Sequence, residues 1–282
     1  MRIGAGRPSA LLALHAAVAL FGFAALFGKW IALSAVDIVL GRTIIAAATL
    51  ALVASLRRQP LGRPERALLV NGPLLALHWV SFFAAVQIAS VAIALLGYAS
   101  FPVCVLLIER GRRASRGELA TALLAAVGLA LLAVNLSWSR AGMGGLALAL
   151  VSGVTFALLV VRNRRLVTGR SAVRIAMWQN LVAGACLLPI VAITAHPLAW
   201  PRLADAALLL VLGIVCTGLA HTLFIASMRC VSAPSASVVA SLEPVYGIAL
   251  AAWLLGEKPD ARTVAGGALI VVAALIASRR TE

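Results

Sequence analysis

Glu243 stands near the middle of a long apolar stretch, immediately before Pro244. An unscreened carboxylate in hydrocarbon costs at least ~2.5 kcal/mol on insertion scales. A water-filled cavity, a cationic partner such as Arg42, or a bound proton would offset that cost. The functional chemistry this offers is proton coupling, with Glu243 as the exchanging group. The structural alternative is a carboxylate that bonds backbone donors at the bend made by Pro244.

His78 and His221 interrupt two other apolar stretches. An imidazole there can bind a substrate carboxylate or carry protons near neutral pH. It can also serve only as a satisfied donor between helices. Trp79, Phe82 and Phe83 follow His78, and Tyr98 precedes Pro102 by four residues, which puts both on one helix face. His78, Trp79, Phe82, Tyr98, His221 and Ser241 form the expected substrate-binding set. Glu243, Arg42, Pro102 and Pro244 form the expected coupling and gating set. His15, near the start of the first stretch, is a weaker candidate. Ser241 closes a small-residue run from Ser232, which either admits a close helix neighbour or leaves room for a ligand.

These residues need elements that hold them in a bilayer. Apolar residues make up 63% of the 282, before glycine is counted, against roughly 45–50% with glycine in a soluble domain. Only 12% are charged. Ten apolar stretches of about twenty residues are long enough to cross ~30 Å of hydrocarbon. They run roughly over 9–28, 35–56, 66–88, 90–108, 117–136, 142–161, 172–195, 203–227, 231–254 and 261–278. The first is read as a mature span, because it exceeds a signal-peptide core and no small-x-small cleavage site closes it cleanly. The expected fold is therefore all-α and integral to the membrane, with ten transmembrane helices. Pro102 and Pro244 should each remove a hydrogen bond and kink their helix. Trp30, Trp138, Trp200 and Trp253 lie near stretch ends, as interfacial anchors do. Lys29, Asp37, Glu257 and Asp260 are expected at the rim, with Asp260 capping the last helix.

The chain also repeats itself. Residues 77–103 and 219–245 align without gaps at an offset of 142, with seven identities that include Phe82/Phe224 and Pro102/Pro244. Outside that block, Phe21 followed by Lys29 matches Phe156 followed by Arg164. Arginines sit on opposite schedules in the two halves. Arg57, Arg58, Arg63 and Arg66 fall between the second and third stretches, whereas Arg162, Arg164, Arg165, Arg170 and Arg174 fall between the sixth and seventh. Basic loops stay cytoplasmic, so the halves must be upside down relative to each other. A five-helix unit ends on the side opposite its start, so its copy enters inverted. The expected units are 1–136 and 141–282, arranged around a central cavity, which is how secondary transporters are built. With both termini cytoplasmic, that side receives eighteen of the 24 basic residues and the other side five. The expected location is a cell inner membrane, multi-pass.

Several classes are excluded. The net charge of +15 is carried by arginines in short loops without interleaved aromatics, so no nucleic-acid partner is expected. Membrane lipid is the expected surface partner. No HExxH, GxSxG or helically spaced carboxylate pair occurs, so the chain is not expected to be an enzyme. Cys104, Cys186, Cys216 and Cys230 form no CxxC pair, and neither metal nor cofactor is expected. No phosphate-binding loop is present, so ATP is not the direct driver.

The segment SLEPVYGIALAAWLLGEK at 241–258, followed by AGGALI at 265–270, resembles the EamA repeat of the drug/metabolite transporter superfamily. The echo in the first half is Pro102 and, later, Gly128. Arg42 resembles the arginine of that family's second span, with Gln179 at the matching place in the seventh. Two departures stand out. The Gly-Glu pair is replaced in the first half by Ile108-Glu109-Arg110-Gly111, and Phe21 takes the place of the usual tryptophan. The resemblance implies a ten-helix carrier with a central cavity, exporting amino acids or other small metabolites by alternating access. The subgroup it is most similar to exports aromatic amino acids. The few charged residues within spans fit a neutral or zwitterionic small-molecule substrate. Proton antiport and facilitated diffusion are both left open, and a passive channel or a lipid or drug translocator of the same fold is the alternative.

Overall fold

The protein is described from a computed structural model covering residues 6–89, 91–109, 115–133, 139–193, 201–255 and 261–280. All regular elements among these residues are helical. In chain order they are α1 (Arg7–Trp30), α2 (Ala35–Leu56), α3 (Arg66–Ile88), α4 (Val91–Tyr98), α5 (Phe101–Ile108), α6 (Arg116–Ala133), α7 (Arg140–Val167) and α8 (Ala172–Ile193). There follow α9 (Leu203–Gly213), a π-helical segment (Ile214–Leu219), α10 (Ala220–Ser227), α11 (Ala233–Ala240), α12 (Glu243–Leu255) and α13 (Ala261–Arg280).

Seven helices among the described residues are long and apolar enough to cross a bilayer. These are α1, α2, α3, α7, α8, the continuous α9–α10 rod and the α11–α12 pair. Several hydroxyls inside them are satisfied locally, whereas Gln179 Oε1, Asn180 Oδ1 and the Thr222 hydroxyl are buried without a hydrogen-bond partner among the described residues. The hydroxyls of Thr43, Thr49, Ser81 and Thr155 each donate to a carbonyl one turn back, at 2.6–3.0 Å. This is the condition for a polar side chain in hydrocarbon. Leu12, Leu52, Ile193, Leu203 and Trp253 turn outward, as lipid-facing side chains must.

Both prolines break their helices rather than bending them. Pro102 is the second residue of α5 and Pro244 the second of α12, positions that need no backbone donor. A proline cannot bond the carbonyl four residues back, so α4 ends at Tyr98 and α11 at Ala240. The first break is held by Ser100, whose hydroxyl donates to the Gly97 carbonyl at 2.8 Å. It is held also by Gly153 of α7, where an added Cβ would stand 2.7 Å from the Tyr98 carbonyl. At the second break the Ser241 N–H reaches both Ser237 and Val238 carbonyls at 3.1 Å.

Helix α3 packs along α7 and α8, α2 along α8, α6 along α13, and α1 against α10 and α12. Small residues bring these helices close. At Gly22 of α1 a Cβ would lie 2.8 Å from the Glu243 carbonyl, so only glycine fits there. The run from Ser232 to Ser241 is almost wholly buried, with the Ser232 hydroxyl capping α11 through Ser235 N–H at 3.3 Å. That run serves helix packing.

Lys29 is exposed at the end of α1 and Asp37 is half-buried, paired with the cap residue Ser34. Trp253 is exposed, whereas Trp30 packs edge-on against Phe23 and Phe27. Trp138, Trp200, Glu257 and Asp260 lie outside the described residues, as do Arg110, Gly111 and the extreme termini.

Candidate functional site

Seven helices converge on one small central cavity. It is lined by Phe21 and Ala24 of α1, Arg42 of α2, Leu75, His78, Trp79, Phe82 and Phe83 of α3, Tyr98 of α4, Phe156 of α7, His221 of α10 and Glu243 of α12. The volume is about 30 Å³, room for roughly two water molecules at ~10–15 Å³ each. An amino acid does not fit until the walls part.

Arg42 is the fixed cation of this cavity and is 2% exposed. Its guanidinium carbon lies 4.0 Å from the centre of the Trp79 ring and 5.3 Å from that of Phe83. Its Nε–H donates to the Thr217 hydroxyl at 2.9 Å. Thr217 sits in the π-helical segment and donates onward to the Leu212 carbonyl, five residues back, at 2.7 Å. The wider π turn therefore supplies the arginine's acceptor, consistent with the frequency of such turns at functional sites.

Glu243 opens α12 and is 6% exposed. Its carboxyl meets the hydroxyl of Tyr98, and it lies at the helix end where the dipole favours negative charge. Arg42 and Glu243 face the same cavity, yet no salt bridge joins them among the described residues. The offset to the buried carboxyl therefore comes from Tyr98 and the helix terminus, with Arg42 acting across the cavity.

The histidines are anchored differently. The Nδ1 of His78 lies 2.8 Å from the Ser152 hydroxyl and 3.1 Å from the Ser152 carbonyl, so α7 fixes the ring. The imidazole stacks on Phe156 at 5.0 Å and tilts against Tyr98 at 5.5 Å. The Nδ1 of His221 has a longer contact, 3.5 Å to the Asn180 amide. Its ring stands edge-on to Trp79, with centroids 5.7 Å apart. Trp79 and His221 are counterparts at the sequence offset of 142, and here they touch.

Seven of the ten residues in the expected substrate-binding and coupling sets line this one cavity, His78, Trp79, Phe82, Tyr98, His221, Glu243 and Arg42, and Phe83 joins them. Three do not. Ser241 is turned away and bonds the Ser237 carbonyl at 3.3 Å. Pro244 lies behind Glu243 and off the wall, and Pro102 lines a separate cavity of about 10 Å³ with Pro234 and Ser237. Gln179 is likewise elsewhere, bonded to Asn163 of α7, which also accepts from Asn71 at 3.1 Å. Sequence reasoning passed over Phe21 and Phe156 as wall residues, although they match in the two halves. Both rings lie 5.6 Å from Phe224.

A second polar assembly closes the arginine-rich face. Glu65, just before α3, bonds Arg170 through both carboxylate oxygens and lies 3.7 Å from Arg174. The Arg170 guanidinium beside Glu65 holds that carboxyl below the usual carboxylate range, and the arginine's own pKa rises in return. Arg174 also donates to the Arg63 carbonyl at 3.0 Å and the Trp178 indole to the Leu61 carbonyl at 3.1 Å. The 57–65 loop is thus clasped to the start of α8.

Residues 143–279 match the profile of the EamA-like transporter family. No curated protein matches the chain. A solved crystal structure, 21% identical, superposes with a TM-score of 0.82 over 96% of this chain and 99% of its own. At that identity the likeness speaks for the fold.

Proposed function

We propose that this chain is a secondary transporter of the drug/metabolite transporter superfamily, carrying small neutral or zwitterionic metabolites across a cell inner membrane. The family match over 143–279 and the fold likeness over nearly the whole chain support a membrane carrier of small molecules. In this reading residues 1–136 and 141–282 are two inverted five-helix units, and both termini are cytoplasmic. The contact between Trp79 and His221 favours it, because counterparts in a two-fold arrangement meet only at the axis.

One observation carries the functional reading. Arg42, His78, His221 and Glu243 share a single cavity whose remaining wall is largely aromatic. Arg42 and the imidazoles suit a carboxylate, Glu243 an ammonium or a proton, and the rings an apolar side chain. Amino acids, aromatic ones included, have all three parts. Because the cavity holds about 30 Å³, the substrate must enter a more open state, which is what alternating access requires. Uptake competition by a panel of amino acids in vesicles containing the purified protein tests the substrate. Trans-stimulation by unlabelled substrate tests the mechanism, since a passive channel shows none.

A further inference from the structure

The arginine-rich face holds a pocket that the central cavity does not use. It has a volume of about 350 Å³ and is lined by Gln59, Pro60, Gly169, Arg170, Ser171, Arg174 and Arg229. Three guanidinium groups converge there, Arg170 and Arg174 from around the start of α8 and Arg229 from the turn after α10, and Glu65 is the one carboxylate bonded to them among the described residues. Arg170 spends its Nε and one terminal nitrogen on Glu65. Arg229 is pinned to the pocket by donating to the Arg170 carbonyl at 2.7 Å, which leaves its other donors free to turn inward. The Nε of Arg174 is buried without any hydrogen-bond partner, a costly state for a charged donor.

We propose that this pocket binds a phosphate anion, the headgroup of an acidic phospholipid. Clustered arginines select phosphate because their planar forks match its oxygens in pairs. A net positive, solvent-open pocket at the end of membrane-crossing helices lies where acidic headgroups are concentrated. A bound phosphate supplies the partner that the Arg174 Nε lacks. It also bridges the 57–65 loop, the turn before α8 and the turn after α10, so occupancy tightens this face of the bundle.

The test uses the full-length protein in neutral detergent and follows its melting temperature. The probes are phosphatidylglycerol, phosphatidylcholine and inorganic phosphate at matched ionic strength. Phosphatidylglycerol should raise the melting temperature by several degrees and phosphatidylcholine should not. The increment should vanish in Arg229→Gln, shrink but persist in Arg229→Lys, which keeps the charge and loses the fork, and be unchanged in Arg116→Gln, an exposed arginine outside the pocket. Protection by phosphatidylglycerol alone assigns the lipid headgroup. Equal protection by inorganic phosphate assigns the anion irrespective of its carrier. No protection by either probe, or the same protection in wild type and Arg229→Gln, overturns the site. Should Arg229→Gln not fold, the same comparison is made with Ser171→Asp, which sets a fixed negative charge in the pocket and should abolish the increment.

Discussion

The Arg42 guanidinium lies over Trp79, 4.0 Å from the ring centre, while its Nε–H is held by Thr217 at 2.9 Å. One residue from α2 is thereby locked between α3 and the π-helical segment. Arg42 lines the cavity, where a substrate carboxylate can meet its guanidinium. A lysine keeps the charge but loses the planar stack and the Nε donor. Such stacks contribute about 0.5–2 kcal/mol, which corresponds to roughly 2- to 30-fold in affinity. Arg42→Lys should therefore raise the half-saturating substrate concentration by that factor in proteoliposomes. Thr217→Val should reproduce part of the effect. An unchanged concentration dependence in both variants would remove Arg42 from substrate binding.

Glu243 and Tyr98 form the cavity's other polar pair. If the carboxyl exchanges protons during transport, Glu243→Gln must abolish acceleration by a pH gradient while sparing exchange of labelled for unlabelled substrate. Tyr98→Phe removes only the hydroxyl, so gradient-driven transport should persist with its pH dependence displaced. Gradient-driven transport that survives in Glu243→Gln would end the coupling role.

The clasp between Glu65 and Arg170 sets a pH dependence on the arginine-rich face. The hydrogen bond from Arg170 lowers the carboxyl's pKa most, desolvation opposes it, and the charges of Arg170 and Arg174 add to the lowering. A lowered folded-state value means that the contribution is complete above the ordinary value of 4.5 and fades as pH falls through the lowered one. Melting temperatures of wild type and Glu65→Gln should differ at pH 7 and converge towards pH 3. A constant gap across that range would show that the clasp carries no charge-dependent stability.

The sequence pointed to the cavity walls wherever chemistry restricts a side chain's options. Arg42, His78, His221 and Glu243 are too costly to face lipid, so an inward position follows from their type alone. Phe21 and Phe156 carry no such restriction, because phenylalanine is as compatible with lipid as with a cavity. Only their pairing across the two halves hinted at their place. Ser241 failed for the opposite reason: its short hydroxyl finds an acceptor on its own helix. The prolines announced a disturbance but not its extent, since a break needs neighbours such as Gly153 and Ser100 to receive the freed carbonyls. The Glu65–Arg170 clasp joins residues 105 apart, and loop charges read singly mark topology and nothing more.

Close approach of α1 to α12 gives a last test that needs no ligand. Gly22 stands where a Cβ would come within 2.8 Å of the Glu243 carbonyl and 2.9 Å of the Tyr246 Cβ. Backbone cannot yield as a side-chain tip can, so Gly22→Ala must push α12 outward. Overpacking of this kind costs about 1–3 kcal/mol. The displaced helix carries Glu243 away from Tyr98, so the variant should lose both melting temperature and gradient-driven transport. Gly144→Ala is the control, because its nearest neighbour would lie 3.7 Å from the new Cβ, an ordinary contact. If Gly22→Ala matches that control in both measurements, the tight seam between α1 and α12 does not hold Glu243 in place.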